Sequence, residues 1–268
     1  MKDLIFAIGD IHGRLDLTTA ALDAIEARAA GADSFRVIFL GDYVDRGPDS
    51  RGVVELMMTL SRDHRYVCLK GNHEAMMVQC LTGGATEDFT RWMDNGGRQT
   101  LDSYGAVDWD AAGVAVPAEH LRWMRGLPLT SGDGHRVYVH AGLMPATPFD
   151  RQTEETCLWI RERFLRAPAH QFDAHVVHGH TPQWAGKPDM GEPEFLPHRT
   201  NLDLAAYATD RLGVGVFDAA LGGGPIEAII VEGRVGESAR VVPNQSPATL
   251  VAPDGEPAAR PKRWPWRR

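Results

Sequence analysis

Three short blocks within the first 74 residues combine glycine with residue types that bind metal ions. The blocks are Gly9-Asp-Ile-His-Gly13, Gly41-Asp-Tyr-Val-Asp-Arg-Gly47 and Gly71-Asn-His-Glu74. Each follows a short apolar run, and its first glycine permits a tight turn from a strand into a loop. Carboxylate, amide and imidazole groups in this order predict a site where two metal ions hydrolyse a phosphate ester.

The predicted metal ligands combine oxygen and nitrogen donors and include no thiolate. They are Asp10, His12, Asp42, Asn72, His140 and His180. This donor set favours manganese, iron or zinc over calcium or a structural zinc ion. If Asp42 bridges two ions about 3.5–4 Å apart, the ions would jointly acidify a bridging water, and hydroxide would be available near neutral pH.

Phosphate ester cleavage also needs groups that bind the phosphate oxygens and protonate the leaving alkoxide. Arg46 can bind phosphate oxygens through its fork of N–H donors. His73 follows the predicted ligand Asn72, and Asp45 could hold His73 protonated as the general acid.

A second phosphate-binding arginine is predicted in the segment Trp159-Ile-Arg-Glu-Arg163, where Arg161 is favoured. The alternative is that the arginines of this segment form surface ion pairs with Glu155 and Glu162. For Arg163, the surface ion pair is the favoured interpretation.

The elements around the first three blocks predict a parallel sheet. Residues 4–8, 37–40 and 66–69 are apolar runs typical of buried strands, while residues 15–30 and 50–60 have helical spacing. The residue numbers of Asp10, Asp42 and Asn72 are 32 and 30 apart, which suits βαβ units. The blocks should therefore meet at the carboxyl edge of the sheet, where α/β proteins bind ligands.

Further along the chain, the pattern predicts a cap, two more strands and a late β meander. Helices are expected at residues 73–81 and 118–124, with glycine breakers at 83–84 and 95–97. Residues at about 80–135 are expected to form a cap region. Strands at 136–139 and 175–177 lead into His140-Ala-Gly142 and His178-Gly-His-Thr181. Strands at 212–217, 226–231 and 240–242 would form the meander, which we expect to add a second sheet.

The C-terminal segment differs in composition from the predicted catalytic domain at residues 1–245. Residues 246–268 are rich in proline and end in basic and aromatic residues, which predicts a disordered tail. Such an end could contact an anionic membrane or nucleic acid, but a solvated tail is favoured.

Charge and cysteine content restrict the class of protein. The chain has 36 acidic and 28 basic residues, which disfavours stable nucleic-acid binding over a large surface. Its 3 cysteines, at positions 68, 80 and 157, are widely spaced and read as buried thiols of a reducing compartment. The N-terminal apolar run is too short for a signal peptide or a membrane span, so we expect a cytoplasmic protein without a transmembrane segment. No feature indicates an oligomeric state.

The combined motifs resemble the phosphoprotein phosphatase branch of the calcineurin-like metallophosphoesterases, and bacterial members in particular. The three blocks, His140-Ala-Gly142 and Gly179-His-Thr181 carry this resemblance over roughly residues 3–245. It implies an α/β fold of four layers, α/β/β/α, with two central mixed sheets. One departure lies at Asn201-Leu-Asp-Leu-Ala-Ala206, where relatives commonly have Thr-Gly after the aspartate.

The resemblance also implies a role for each site residue. Asp10 and His12 would bind the first ion, Asp42 would bridge, and the second ion would be bound by Asn72, His140 and His180. Arg46 and Arg161 would bind phosphate, and His73, oriented by Asp45, would donate a proton. The other histidines and Glu74 are expected to be surface, hydrogen-bonded or packing residues; these histidines are His64, His120, His135, His170, His175, His178 and His198.

Three functions remain open at this point. The leading hypothesis is a metal-dependent phosphatase that acts on phosphoserine or phosphothreonine in proteins. Manganese is the favoured identity of its two metal ions. A symmetrical diadenosine tetraphosphate hydrolase is the alternative, because the same metal motifs would serve it. A non-catalytic binding module on the same fold is disfavoured, because Asp45, Arg46 and His73 are all retained.

Overall fold

Two β-sheets lie at the centre of the fold in the computed structural model, which describes residues 2–107, 109–182, 191–233 and 240–243. The strands are β1 (Asp3–Ile8), β2 (Ser34–Phe39), β3 (Tyr66–Cys68), β4 (Thr130–Gly132), β5 (Arg136–Val139), β6 (His175–His178), β7 (Glu194–Leu196), β8 (Arg199–Asn201), β9 (Arg211–Asp218), β10 (Glu227–Glu232) and β11 (Arg240–Pro243). The first sheet has the order β11-β10-β9-β1-β2-β3, and the second has the order β4-β5-β6-β8-β7.

Helices cover the outer faces of the sheets and fill the long connection between β3 and β4. They are α1 (Leu15–Ala29), α2 (Ser50–Leu60), α3 (Asn72–Leu81), α4 (Thr86–Trp92), α5 (Arg98–Tyr104), α6 (Trp109–Ala115), α7 (Ala118–Gly126), α8 (Glu154–Trp159), α9 (Glu162–Leu165) and α10 (Ala206–Thr209). The helices predicted near residues 15–30, 50–60, 73–81 and 118–124 are confirmed by α1, α2, α3 and α7.

Alternation of side chains along the buried strands creates the layers. Ile5 and Ala7 of β1 pack with Tyr138 of β5 and Val177 of β6, so this cluster lies between the two sheets. The other face of β1 carries Leu4, Phe6 and Ile8, which pack against helix α1. The outer face of the second sheet packs on α8 and α9 through Val137, Val176, Cys157 and Phe164. The predicted four-layer α/β/β/α sandwich is therefore confirmed.

Parallel pairing brings the predicted site together. Strand β1 pairs in parallel with β2, and β2 pairs in parallel with β3, so the three glycine-containing blocks follow the carboxyl ends of neighbouring strands. In the second sheet β5 and β6 are also parallel, and the segments containing His140 and His180 follow them. The expectation that these blocks meet is confirmed.

The prediction that the late meander adds a second sheet is wrong. Strands β9, β10 and β11 are antiparallel neighbours, but β9 also pairs antiparallel with β1. The meander therefore extends the first sheet, because β1 offers an edge that the parallel pairing with β2 does not use. The second sheet consists of β4 to β8, whose short strands β7 and β8 have weak sequence patterns.

The connection between β3 and β4 contains a group of short helices, α4 to α7, which we call the helical insertion (residues 86–126). A π-helical turn, Met93–Gly97, joins α4 to α5 and contains Gly96 with φ 97°. Trp92 and Leu101 of the insertion pack with Met76 and Met77 of α3. The insertion thus rests directly on the helix that begins at Asn72.

Three further expectations concern burial and location. Cys68, Cys80 and Cys157 are buried free thiols, as predicted. Within the described ranges no helix combines the length and apolar character that a membrane crossing requires. The predicted C-terminal tail at 246–268 lies outside the described residues.

Candidate active site

Two groups of potential ligand atoms share Asp42 at the carboxyl edge of the first sheet. One consists of His12, Asp42 and His73, and the other of Asp42, His140 and His180; within each group the ligand atoms lie within 4.8 Å of one another. All five residues are buried. Asp42 Oδ2 lies 3.5 Å from His12 Nε2, and Oδ1 lies 3.3 Å from His140 Nε2. One carboxylate therefore faces both groups.

The loops that carry these residues adopt strained backbone conformations. His12, Asp42, Asp45, Arg46 and His180 all have positive φ, from 46° to 72°. Non-glycine residues in this region cost about 1–3 kcal/mol each and persist only where the surroundings enforce them. Here the backbone N–H groups of Ile11 and His12 both donate to the Asp42 carbonyl. These backbone conformations orient the side chains of the loops towards the two ligand groups.

Glu74 stabilises the loop that carries Asp42 through hydrogen bonds to its backbone, and it belongs to neither group of potential metal ligands. Its carboxylate accepts hydrogen bonds from the backbone N–H groups of Asp42, Tyr43 and Gly71 at 2.7–2.9 Å. Burial and the neighbouring Asp42 charge raise the pKa of Glu74 to about 7. The expectation that Glu74 is a helix-start and packing residue is confirmed.

The donor set fits divalent cations because several nitrogen and oxygen lone pairs converge at the site. His140 donates from Nδ1 to the Leu40 carbonyl, so its Nε2 presents a lone pair, which lies 2.8 Å from the carbonyl-type oxygen Oδ1 of Asn72. His12 likewise donates from Nδ1 to the Val44 carbonyl. His180 Nδ1 lies 2.8 Å from the same Asn72 oxygen. A cation bound among His140, His180 and Asn72 would satisfy these converging atoms.

Asp10 stands slightly apart from the two groups, although it is buried beside them. Its carboxylate accepts the backbone N–H of His180 at 3.0 Å, and a Cβ at Gly179 would overlap this carboxylate. Burial, Asp203 and Asp42 raise the pKa of Asp10 well above its usual range. Asp203, which the sequence analysis did not assign, has its own pKa raised to about 6, mainly by burial. Because the carboxyl groups of Asp10, Asp42 and Asp203 lie close together, a bound cation would relieve their mutual repulsion.

His73, a member of the first group, is paired with Asp45. His73 donates from Nδ1 to Asp45 Oδ2 at 2.7 Å, while its Nε2 lies 3.8 Å from Asp42 Oδ2. Two residues of the helical insertion also bind Asp45: Trp92 Nε1 contacts both carboxylate oxygens, and Thr100 Oγ1 donates to Oδ1. Sequence reasoning missed both, because neither has a local motif that points to Asp45.

The four clustered histidines fall into two electrostatic classes. Burial, followed by the neighbouring cationic groups, lowers the pKa of His12 and of His180. Burial also lowers the pKa of His140, against the opposing effect of Asp42. His73 differs, because Asp42 and Asp45 together outweigh burial and raise its pKa. Neutral imidazoles suit metal ligation, whereas a raised pKa suits a proton donor.

Arg46 reaches the first group and lies on an aromatic ring. Its Nη1 donates to His12 Nε2 at 2.9 Å, and its guanidinium carbon lies 5.0 Å from the centroid of the Tyr207 ring. Tyr207, another residue that the sequence analysis missed, also contacts the His12 ring edge-to-face. Arg14 donates to the carbonyl of Ala206 and so anchors the segment that carries Tyr207.

Arg161 lies next to His180 of the second ligand group. Its Nη1 donates to the His180 carbonyl at 3.0 Å and to Thr181 Oγ1 at 2.9 Å. The ion pair with Glu162 is formed by Arg166, so the surface-pair alternative does not describe Arg161. Arg163 is exposed, but Glu162, one of its two expected partners, pairs with Arg166 instead. Trp159 flanks the same side, with its ring centroid 6.3 Å from that of His180.

The loop at the departure from the family pattern keeps a conformation that favours glycine. Ala205, where relatives commonly have glycine, has φ 54°. Its backbone N–H donates to Asp203 Oδ1, which helps to enforce the conformation. An alanine in this conformation is therefore locally strained.

The remaining buried histidines are structural in their contacts. His120 is hydrogen-bonded to Tyr104, and His175 to Thr200. His178 packs edge-to-face on Phe164, on the outer side of the second sheet. Among the described residues none of these three joins a group of potential metal ligands, in agreement with the prediction.

Comparison with known proteins agrees with this geometry. The chain matches the family model described as calcineurin-like phosphoesterase over residues 4–209. The chain therefore belongs to the calcineurin-like phosphoesterase family, whose members generally use a dinuclear metal centre.

Similar proteins carry two kinds of name. Serine/threonine-protein phosphatase 1 of Salmonella typhimurium is 29% identical over 182 residues, covering 66% of this chain and 78% of the phosphatase. A symmetrical bis(5'-nucleosyl)-tetraphosphatase of Ralstonia nicotianae is 32% identical over 140 residues, covering 52% of this chain and 42% of that protein. The tetraphosphatase match thus spans less than half of the relative.

Solved structures support the fold. The crystal structure of a presumed diadenosine tetraphosphatase has a TM-score of 0.54 at 22% identity, covering 91% of this chain and 94% of that one. A protein serine/threonine phosphatase from Saccharomyces cerevisiae has a TM-score of 0.50 at 16% identity, covering 91% and 81%. The family and its phosphatase relatives place this chain among the metal-dependent phosphatases.

Proposed function

We propose that this protein hydrolyses phosphate monoesters with two bound divalent cations, and that phosphoserine and phosphothreonine in proteins are its substrates. The observation that carries the proposal is a single buried carboxylate, Asp42, shared by two ligand groups, one of which contains His73 hydrogen-bonded to Asp45. The bacterial phosphatase relative supports the choice of substrate class.

The residues that would hold the cations divide as the motifs suggest. Asp10 and His12 would hold the first ion, with Asp42 shared between the two. The second ion would be held by Asn72, His140 and His180. When bound, two such ions supply activation of a water for attack on phosphorus and neutralisation of phosphate charge. The absence of thiolate from the donor set favours manganese, with iron or zinc as alternatives.

Two arginines would bind the phosphate group from opposite sides of the site. Arg46 extends over the first group and Arg161 borders the second. Each guanidinium offers five N–H donors in a planar fork, which suits the oxygens of a phosphate. Their position on either side of Asp42 would orient the ester for in-line attack.

His73 would donate a proton to the leaving alkoxide as the phosphorus–oxygen bond breaks. Asp45 accepts from Nδ1, so Nε2 is the atom that faces the reacting groups. Asp42 and Asp45 raise the pKa of His73, which favours the protonated form of the ring. Asp45 both orients the ring and stabilises its charge.

Symmetrical hydrolysis of diadenosine tetraphosphate is the second candidate. It is favoured by the tetraphosphatase relatives, two of which are 31% and 32% identical over their aligned parts. A non-catalytic module on the same fold fits poorly, because its site would not need the hydrogen-bonded network around Asp45 and His73.

The test is turnover of a phosphopeptide panel and of diadenosine tetraphosphate by one preparation whose metal content is measured. Phosphopeptide hydrolysis that is abolished by a chelator and restored by manganese is expected. Exclusive turnover of the dinucleotide would replace the first proposal with the second. Failure of metal-loaded protein to hydrolyse any substrate, including an aryl phosphate, would favour the non-catalytic module.

A further inference from the structure

The carboxylate of Asp45 is bound by two side chains that come from the helical insertion. Trp92 Nε1 lies 2.9 Å from Oδ1 and 3.0 Å from Oδ2, and Thr100 Oγ1 lies 2.7 Å from Oδ1. Trp92 and Asp45 are both 0% exposed. Trp92 and Thr100 are 47 and 55 residues away from Asp45 along the chain, so tertiary packing creates both contacts.

Thr100 holds the backbone of Asp45 as well as its side chain. The backbone N–H of Asp45 donates to Thr100 Oγ1 at 2.9 Å and to Ser50 Oγ at 3.0 Å. Asp45 has φ 72°, a conformation that needs support from its surroundings. The threonine hydroxyl therefore helps to maintain both the strained loop and the carboxylate orientation.

The chemistry of these two donors suits the neighbour of a proton donor. An indole N–H and a hydroxyl donate hydrogen bonds to a carboxylate, and neither titrates near neutral pH. With Oδ1 bound by Trp92 and Thr100, the carboxylate cannot rotate without losing charge-assisted hydrogen bonds. Oδ2 is thereby kept in line with His73 Nδ1, at 2.7 Å.

We propose that Trp92 and Thr100 are positioning residues for proton transfer: they fix the Asp45 carboxylate so that His73 presents its Nε2 proton to the leaving group. The inference rests on the proposed role of His73. It gives the helical insertion a part in catalysis. The alternative is that Trp92 serves only as a packing residue, in contact with the apolar cluster around Met77.

The experiment compares Trp92→Phe and Thr100→Val with the wild type on two aryl phosphates. Phenyl phosphate has a poor leaving group that needs a proton, whereas 2,4-dinitrophenyl phosphate has a good one that does not. We expect kcat on phenyl phosphate to fall about 5- to 50-fold, less than the roughly 100- to 10,000-fold supplied by a complete general acid. On dinitrophenyl phosphate kcat should stay within about 2-fold of the wild type, since proton donation contributes little there.

Three controls separate positioning from packing. Thr100→Ser keeps the hydroxyl and should restore turnover of phenyl phosphate. Trp123→Phe removes an indole N–H of the same insertion that binds Ser61 instead, and should change neither rate. In a His73→Asn background, Trp92→Phe should have no further effect, because residues that act as a unit are not additive.

Two results would overturn the inference alone. One is an equal loss on both aryl phosphates at unchanged metal content, which would indicate a packing defect. The other is a Trp92→Phe effect that persists in the His73→Asn background. If the wild type, loaded with metal, hydrolyses neither the aryl phosphates nor the phosphopeptides, the proposed function fails and this inference fails with it.

Discussion

The loops at the edge of the first sheet and the helical insertion serve the same site by different physical means. In the loops, non-glycine residues such as His12, Asp42 and Asp45 have positive φ, and their side chains carry the charges. Among the described residues of the insertion, positive φ occurs only at glycines, Gly96 and Gly105. The loops thus hold strained, charged groups, whereas the relaxed insertion supports them with neutral donors.

This difference predicts separate consequences for changes in the two regions. Damage to the loop ligands should remove metal, because Asp42, which both ligand groups share, lies in these loops. Damage to the insertion should leave metal bound and reduce turnover or stability. The variants below test this division, beginning with the largest effect.

Asp42→Asn should have the largest effect. The amide removes the negative charge that both ligand groups share, so metal binding weakens at both. We expect activity to fall by more than the roughly 10,000-fold upper limit of general acid–base catalysis, together with loss of metal measured by elemental analysis. Retention of two ions by this variant would contradict the shared role of Asp42.

His73→Asn should retain metal and lose turnover. The substitution removes the hydrogen bond to Asp45 and the proton donor, and we expect kcat to fall about 100- to 10,000-fold. Steady-state kinetics and metal analysis of one sample provide the measurement. Metal loss equal to that of Asp42→Asn would mean that His73 is a ligand, as its place in the first group allows.

Gly96→Ala tests the contact between the helical insertion and the loop that carries Arg46. Gly96 has φ 97°, and a Cβ there would lie 2.7 Å from Arg46 Cγ and 2.8 Å from the Arg46 backbone nitrogen. A left-handed non-glycine residue costs about 1–2 kcal/mol, and we expect denaturant unfolding to detect a loss of this size. KM should rise as Arg46 shifts, with metal content unchanged.

Gly113→Ala is the matched control within the insertion. Gly113 lies in α6, and a Cβ added there would meet no atom of a neighbouring described element within 4 Å. Alanine there should stabilise the helix by about 0.5–1 kcal/mol and leave KM unchanged. Similar KM changes in the two variants would show that the contact with Arg46 is not the cause.

Ala205→Gly should have the smallest effect, and it acts in a loop. Removing about 1–2 kcal/mol of left-handed strain is partly offset by about 0.5–1 kcal/mol of glycine entropy. We expect a gain of about 0.5 kcal/mol in the free energy of unfolding, visible as a small rise in Tm. Ala208→Gly in helix α10 should instead destabilise, and a loss of stability in both variants would argue against strain at Ala205.

Much of the site could be predicted because its ligands lie in short blocks directly after strands. Strand ends, glycine turns and donor types are local features, so Asp10, Asp42 and Asn72 were found from pattern and spacing. The residues that were missed have no such local signal. Asp203 lies in a loop that departs from the family pattern, and Trp92 reads as an ordinary apolar residue of a helix.

The sequence by itself determined the order of the candidate metal-binding blocks, the parallel strands that precede them and the type of chemistry that their side chains permit. Only the tertiary structure decided that strands β9 to β11 extend the first sheet, that Tyr207 lies beside Arg46, and that Trp92 and Thr100 bind Asp45. The physical reason is that periodicity records which face of an element is apolar, but not which distant element will cover it. Here the helical insertion packs on α3, and this packing places the neutral donors Trp92 and Thr100 against the carboxylate of Asp45, which the sequence had already identified.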